Sequence, residues 1–274
     1  MIQKYASVVV VLLCTLPAAA LVVDGNLSDW GVHVADNNQS TFNFTANIGL
    51  LGTHIDDQCD LAGDNGYLGP HYGGQNFDAE MMAVALKNGR FYIAIVTGQR
   101  PDNGLARYNP GDLIIATAGG TFGMEMGGGQ GGGAGTAIST GAPGSTYTMN
   151  SNGFTTGHAT ADAQQTAGSI WGNVDWLLNP ISPKEPVQFK INSNSVLVGN
   201  ADYVFTRNTL TTQHSIIELS FPASWFAGNP IESFTWLPSC GNDKLQVMVP
   251  EPVSMGLMLI GAALTVRSRR RIPA

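Results

Sequence analysis

The residues of this chain best placed to do chemistry are carboxylates. Asp24, Asn26 and Asp29 fall within one short turn, and Asp78 and Glu80 stand one residue apart at the head of an apolar run. Alternate residues of a strand share a face, so the Asp78 and Glu80 side chains are expected to point the same way. Asp56, Asp57, Asp60 and Asp64 form a second acidic stretch. Calcium takes about six to eight oxygen ligands of this kind, and it is the candidate cofactor. No segment carries the ligand spacing of an EF-hand loop. The same residues also shape turns through local hydrogen bonds, and both readings stay open.

Tryptophan supplies a second chemistry, because its flat face fits a sugar ring. Trp171 and Trp176 lie in loop-like surroundings and are the candidate sugar-binding residues. Trp30 and Trp236 are expected in the core, where most tryptophans of a β-protein go. The histidines, at 33, 54, 71, 158 and 214, are scattered without metal-ligand spacing. Neither His-Glu-x-x-His nor Gly-x-Ser-x-Gly occurs, and the chain is read as a non-enzyme. A triad assembled in space would leave no such signature. The glycine run 127–133 lacks the Lys-Ser/Thr ending of a phosphate loop and reads as a hairpin connection.

Near the C-terminus the order of residue types changes. Pro250-Glu251-Pro252 is followed by 14 uncharged residues, 253–266, and then by Arg267, Arg269, Arg270 and Arg271. As a helix the apolar run would rise about 21 Å, short of a hydrocarbon core of about 30 Å. It spans if the arginines snorkel and the bilayer thins. Arginines beside a span stay on the cytoplasmic side, so the domain before it is expected to face away from the cytoplasm. The prolines hold the chain extended and open to a protease at the membrane surface.

The N-terminal stretch has the layout of a secretory signal: Lys4, an apolar run over 6–16, then Pro17-Ala18-Ala19-Ala20. Cleavage is expected after Ala20, and export by the Sec translocon follows. Leu13 before Cys14 is too large for a lipoprotein signal. Removing both end segments takes away five of 13 basic residues and one of 20 acids, leaving a net charge of −11. Such a surface argues against nucleic acid. Charged residues make up 12% of the whole chain, about half the usual share, as suits a secreted β-protein. Cys59 and Cys240 survive maturation, and an oxidising compartment would let them form a disulfide.

Short strands with turn signals are the elements that must position these residues. The clearest is a hairpin over 81–96 turning at Asn88-Gly89. Strands are expected over 41–48, 113–118, 122–126, 187–191, 201–206, 215–221 and 233–237, with a second hairpin over 146–156. A short helix is expected over 170–178, a helical turn after Pro222, and loop over 52–77. The sum is an all-β, antiparallel β-sandwich of jelly-roll type, with an N-terminal signal peptide and a single C-terminal transmembrane helix. The expected divisions are 1–20, signal peptide; 21–248, sandwich; and 249–274, sorting segment, with motif 250–252, span 253–266 and basic tail 267–274.

The tripartite tail resembles the PEP-CTERM sorting signal of Gram-negative bacteria. That resemblance implies processing by exosortase, a membrane-embedded protease or transpeptidase, after transient anchoring in the inner membrane. It also implies delivery to the cell surface or an exopolysaccharide matrix. A second resemblance is spread through the domain. Asp24-Gly25-Asn26-Leu27-Ser28-Asp29-Trp30 is similar to the opening of family-nine carbohydrate-binding modules and related DOMON-like sandwiches. Phe77-Asp78-Ala79-Glu80, the strand 90–98 and Ser215-Ile216-Ile217-Glu218-Leu219-Ser220-Phe221-Pro222 resemble later parts of that fold. The expected function is a non-enzymatic structural or adhesive surface protein. The alternative is a carbohydrate-binding module acting on extracellular polysaccharide.

Overall fold

Asn88 and Gly89 both have positive φ, 50° and 73°, the backbone of a type I′ turn, whose twist matches that of the strands it joins. In the computed structural model this turn connects two long neighbouring strands, Ala79–Lys87 and Arg90–Thr97. The structure describes residues 20–35, 40–56, 78–98, 111–126, 148–149, 155–156, 167–178, 185–206, 214–238 and 243–250. Strands in chain order are β1 (Val32–His33), β2 (Thr41–Phe42), β3 (Leu50–Ile55), β4 (Ala79–Lys87), β5 (Arg90–Thr97), β6 (Leu113–Thr117) and β7 (Gly120–Met124). There follow β8 (Thr148–Met149), β9 (Thr155–Thr156), β10 (Ser169–Gly172), β11 (Asp175–Leu178), β12 (Pro186–Lys190) and β13 (Val196–Asn200). The last are β14 (Asp202–Thr206), β15 (Ser215–Pro222), β16 (Ile231–Trp236) and β17 (Leu245–Met248). A 3-10 turn, Ala223–Phe226, follows β15.

Two antiparallel sheets carry the architecture. One has six strands in the order β13-β10-β7-β6-β16-β17, the other five in the order β14-β15-β5-β4-β3. Alternation fixes what lies between them. Met82, Val84, Ile93, Ile95, Ile217 and Leu219 from one sheet meet Leu113, Ile115, Met124, Phe234, Trp236 and Val247 from the other in one buried cluster. Each such side chain contributes about 1.5–3 kcal/mol when fully buried. The result is an all-β, sandwich-like fold.

Both outer faces are also covered. On the five-stranded sheet, Met81, Ala83, Ala85, Ala94 and Val96 pack under Leu21, Leu27, Trp30, Val32 and Ile48 of the N-terminal segment. On the six-stranded sheet, Trp171 packs with Phe189 of the β11–β12 ribbon and with Ile191 just after it. Gly123 makes room for that ribbon, since a Cβ there would lie 2.4 Å from the Phe189 ring. At one edge the two sheets meet: His54 Nδ1 of β3 accepts the Gln246 N–H of β17 at 3.1 Å.

Most expected elements within the described residues are present; β1, β13 and β17 are additions, and three expected elements differ. The expected helix over 170–178 is strand β10, a break at Asn173 with φ of 56°, and strand β11. That positive φ ends a strand and has no place inside a helix. The expected strand over 41–48 shrinks to β2. The head of the expected loop over 52–77 belongs to β3, where Gly52 allows close approach: a Cβ would lie 2.9 Å from Val247 Cγ1. No helix among the described residues is long and apolar enough to cross a membrane.

Candidate functional site

Strand register brings one group of chemically capable side chains together. Thr97 of β5 pairs with Ser215 on one side and Ala79 on the other. His214, Asp78 and Glu80 therefore sit at the same end of three neighbouring strands. The register shifts between Ala79 and Met81, which makes Glu80 the extra residue of a β-bulge; bulges re-aim side chains. The backbone here is well held. The Asp78 carbonyl oxygen accepts from Gly98 N at 2.7 Å and from Thr97 Oγ1 at 2.8 Å. Asp243 Oδ2 accepts from Ala79 N at 2.9 Å.

The imidazole of His214 lies between two carboxylates. Its Nδ1 is 2.6 Å from Glu80 Oε1, and its Nε2 is 3.5 Å from Asp78 Oδ2. All three side chains are buried. The Glu80 contact is a charge pair when the ring is protonated, and outside it Glu80 Oε1 has no hydrogen-bond partner. The ring nitrogen also has hydrogen-bond geometry to the Ala35 carbonyl oxygen, at 3.2 Å. The other Glu80 oxygen, Oε2, accepts from Ser40 Oγ at 2.6 Å, and Ser40 Oγ accepts from Ala35 N at 3.0 Å. Burial pushes the His214 pKa down, and the Asp78 and Glu80 carboxylates outweigh it, holding the ring up to about 9. Such an arrangement holds positive charge, either a proton on the ring or a cation among the three groups.

Compared with known proteins, the chain matches no family model, no curated protein and no solved structure. Its function has to be argued from its own residues.

Asp24, Asn26 and Asp29 each shape the turn through one side-chain oxygen, and Asp29 Oδ1 is buried without a hydrogen-bond partner. Asp24 Oδ1 accepts from Asn26 N at 2.9 Å, Asn26 Oδ1 from Ser28 N at 3.0 Å, and Asp29 Oδ2 from Val22 N at 2.8 Å. Burial pushes the Asp29 carboxyl above its ordinary value. Among the described residues, the groups whose ligand atoms converge are Asp78, Glu80 and His214. The sequence reading found the two acids but not the histidine, because only strand pairing brings His214 to them.

The turn 24–30 is anchored by a residue that sequence reasoning also missed. Glu218 of β15 is buried, and its Oε2 accepts from Gly25 N at 2.7 Å and Asp24 N at 3.1 Å. Its Oε1 accepts from Trp30 Nε1 at 2.9 Å. The signal lay in strand parity: Ile217 and Leu219 face the core, so Glu218 faces the N-terminal segment.

The two candidate sugar-binding tryptophans part company. Trp171 is 4% exposed and donates from Nε1 to Ser169 Oγ at 2.9 Å, so it belongs with the buried Trp30 and Trp236. Its burial follows from β10 being an inner strand whose outer face the β11–β12 ribbon covers. Trp176 is half-buried, edge-on to Phe189 with ring centres 5.9 Å apart. Pro250 is described as leaving β17. Glu251, Pro252, Arg267, Arg269, Arg270, Arg271, Cys59 and Cys240 lie outside the described residues, as do residues 1–19.

Proposed function

We propose that this chain is an exported surface or matrix protein, carried to the inner membrane by an N-terminal signal and released or transferred by exosortase at Pro250-Glu251-Pro252. The observation that carries the reading is the order of parts: an all-β domain, the Pro-Glu-Pro motif, an uncharged run and an arginine cluster. Support also comes from where the sheet stops. β17 ends at Met248, and Val249 N donates to the Glu232 carbonyl oxygen at 2.7 Å. A cut after that point would leave both sheets intact. The domain's role on this reading is structural or adhesive, on a DOMON-like or jelly-roll sandwich, without turnover of a substrate.

The intact mass of protein recovered from native cells and medium tests this. A product lacking residues 1–20 and ending near Pro250 is expected, and any added mass identifies an acceptor. A product in the inner membrane that keeps its arginine tail would sink the exosortase reading. The alternative, a polysaccharide-binding module, has one observation in its favour, the partial exposure of Trp176. Glycan affinity that disappears in Trp176→Ala would establish it.

A further inference from the structure

We propose that Asp78, Glu80 and His214 form a site for one divalent transition-metal ion of the zinc class, seated between the N-terminal segment and the five-stranded sheet. This goes beyond the sorting reading and does not depend on it. Three observations carry it. First, ligand atoms of the three side chains all lie within 4.8 Å of one another, placed by the pairing of Ala79, Thr97 and Ser215 and by the bulge at Glu80. Second, Glu80 is 0% exposed and its Oε1, which faces His214, has no hydrogen-bond partner. A buried carboxylate oxygen is costly unless a positive charge stands against it, and at 2.6 Å from His214 Nδ1 that charge is either the ring's proton or an ion that takes its place. Third, the neighbours hold the groups as supports hold metal ligands. Ser40 Oγ fixes Glu80 Oε2 at 2.6 Å, and the Ala35 carbonyl oxygen orients the His214 ring at 3.2 Å.

The chemistry of the set selects the ion. Two carboxylates neutralise a divalent charge. The imidazole nitrogen turns the preference away from calcium and magnesium, which take oxygen, toward zinc and its first-row neighbours. Two ligands about 2.1 Å from a tetrahedral ion stand about 3.4 Å apart. His214 Nε2 and Asp78 Oδ2 are 3.5 Å apart. The ion would replace the ring proton, and that proton would leave to solvent.

The test uses the full chain purified in detergent. Elemental analysis is expected to find about one zinc-class ion per chain, removable by chelator. Zinc added back is expected to raise the melting temperature, and calcium at the same concentration is not. Cobalt(II) substitution is expected to give visible d–d bands, a readout that needs no variant. Glu80→Gln and His214→Ala are expected to weaken zinc binding at least tenfold, and Ser40→Ala by about 10- to 100-fold. Absence of bound metal together with absence of the cobalt bands overturns the proposal. Zinc affinity unchanged in Glu80→Gln overturns it equally. Calcium binding that depends on Glu80 with no zinc binding overturns the choice of ion.

Discussion

Two glutamates lie buried beneath the same N-terminal segment, and the protein treats them differently. Glu218 is surrounded by donors of the chain itself: the Trp30 indole and the backbone N–H groups of Asp24 and Gly25. Glu80 has Ser40 on one oxygen and, on the other, only the titratable His214 ring at 2.6 Å. Both acids sit on β-strands of one sheet, and both join that sheet to residues before β3. The difference teaches what each junction is for. Glu218 is a finished clasp, with its hydrogen-bonding capacity met by groups near it in the fold. Glu80 is an unfinished one, with capacity left over beside an imidazole and a second carboxylate. Physical completeness, more than residue type, separates a structural carboxylate from a ligand.

The largest effect should come from breaking the finished clasp. Trp30→Ala removes a fully buried indole and leaves Glu218 Oε1 without its donor. It is expected to cost about 3–5 kcal/mol, read as a lower urea midpoint. An unchanged midpoint would mean that the N-terminal segment contributes little to the fold. Glu218→Gln should rank next, at about 1–3 kcal/mol, because an amide N–H would face N–H donors. Its pH dependence sharpens the point. Burial, working against the Trp30, Gly25 and Asp24 bonds, raises the folded Glu218 pKa above its ordinary 4.5. The folded state then holds the proton more tightly. That contribution is present below 4.5 and is lost as pH rises through the folded value. The glutamine does not titrate, so the penalty of Glu218→Gln is expected to be larger near about pH 4 than near about pH 7. A penalty that grows with pH instead would place the folded pKa below the ordinary one.

Ser40→Ala strikes the other junction. In chelated protein it leaves both Glu80 oxygens without a hydroxyl donor and is expected to cost about 1–2 kcal/mol. In zinc-saturated protein the loss is expected to be greater, because the metal's own stabilisation weakens with its affinity. Equal losses with and without zinc would separate Ser40 from the ion.

What could be read from sequence divides along the same line. The Asn88-Gly89 hairpin was legible because its cause is local, two positive φ angles at adjacent residues. So was the strand 215–221, whose alternation is plain. Asp78 and Glu80 were found as a pair for the same reason. His214 and Glu218 were not, because their partners are chosen by the pairing of β15, β5 and β4, which no local pattern encodes. β3 hid behind Gly52, whose missing side chain looks like a loop signal until β17 is seen against it. The helix expected over 170–178 failed at Asn173, where one positive φ divides the segment into two strands facing different neighbours.

The smallest effect expected is also the sharpest divider between the two carboxylate groups. Asp24 Oδ1 accepts the Asn26 N–H on the surface, and asparagine at this position keeps an oxygen able to do so. Asp24→Asn should therefore shift stability by no more than about 0.5 kcal/mol and leave zinc affinity unchanged. Calcium is the decisive addition. If calcium raises the melting temperature of the wild type and not of Asp24→Asn, the turn is a cation site in its own right and the contrast with Glu80 collapses. If calcium treats both proteins alike while zinc discriminates Glu80→Gln, the turn oxygens serve the backbone, and the buried end of β4 is where a cation has something to complete.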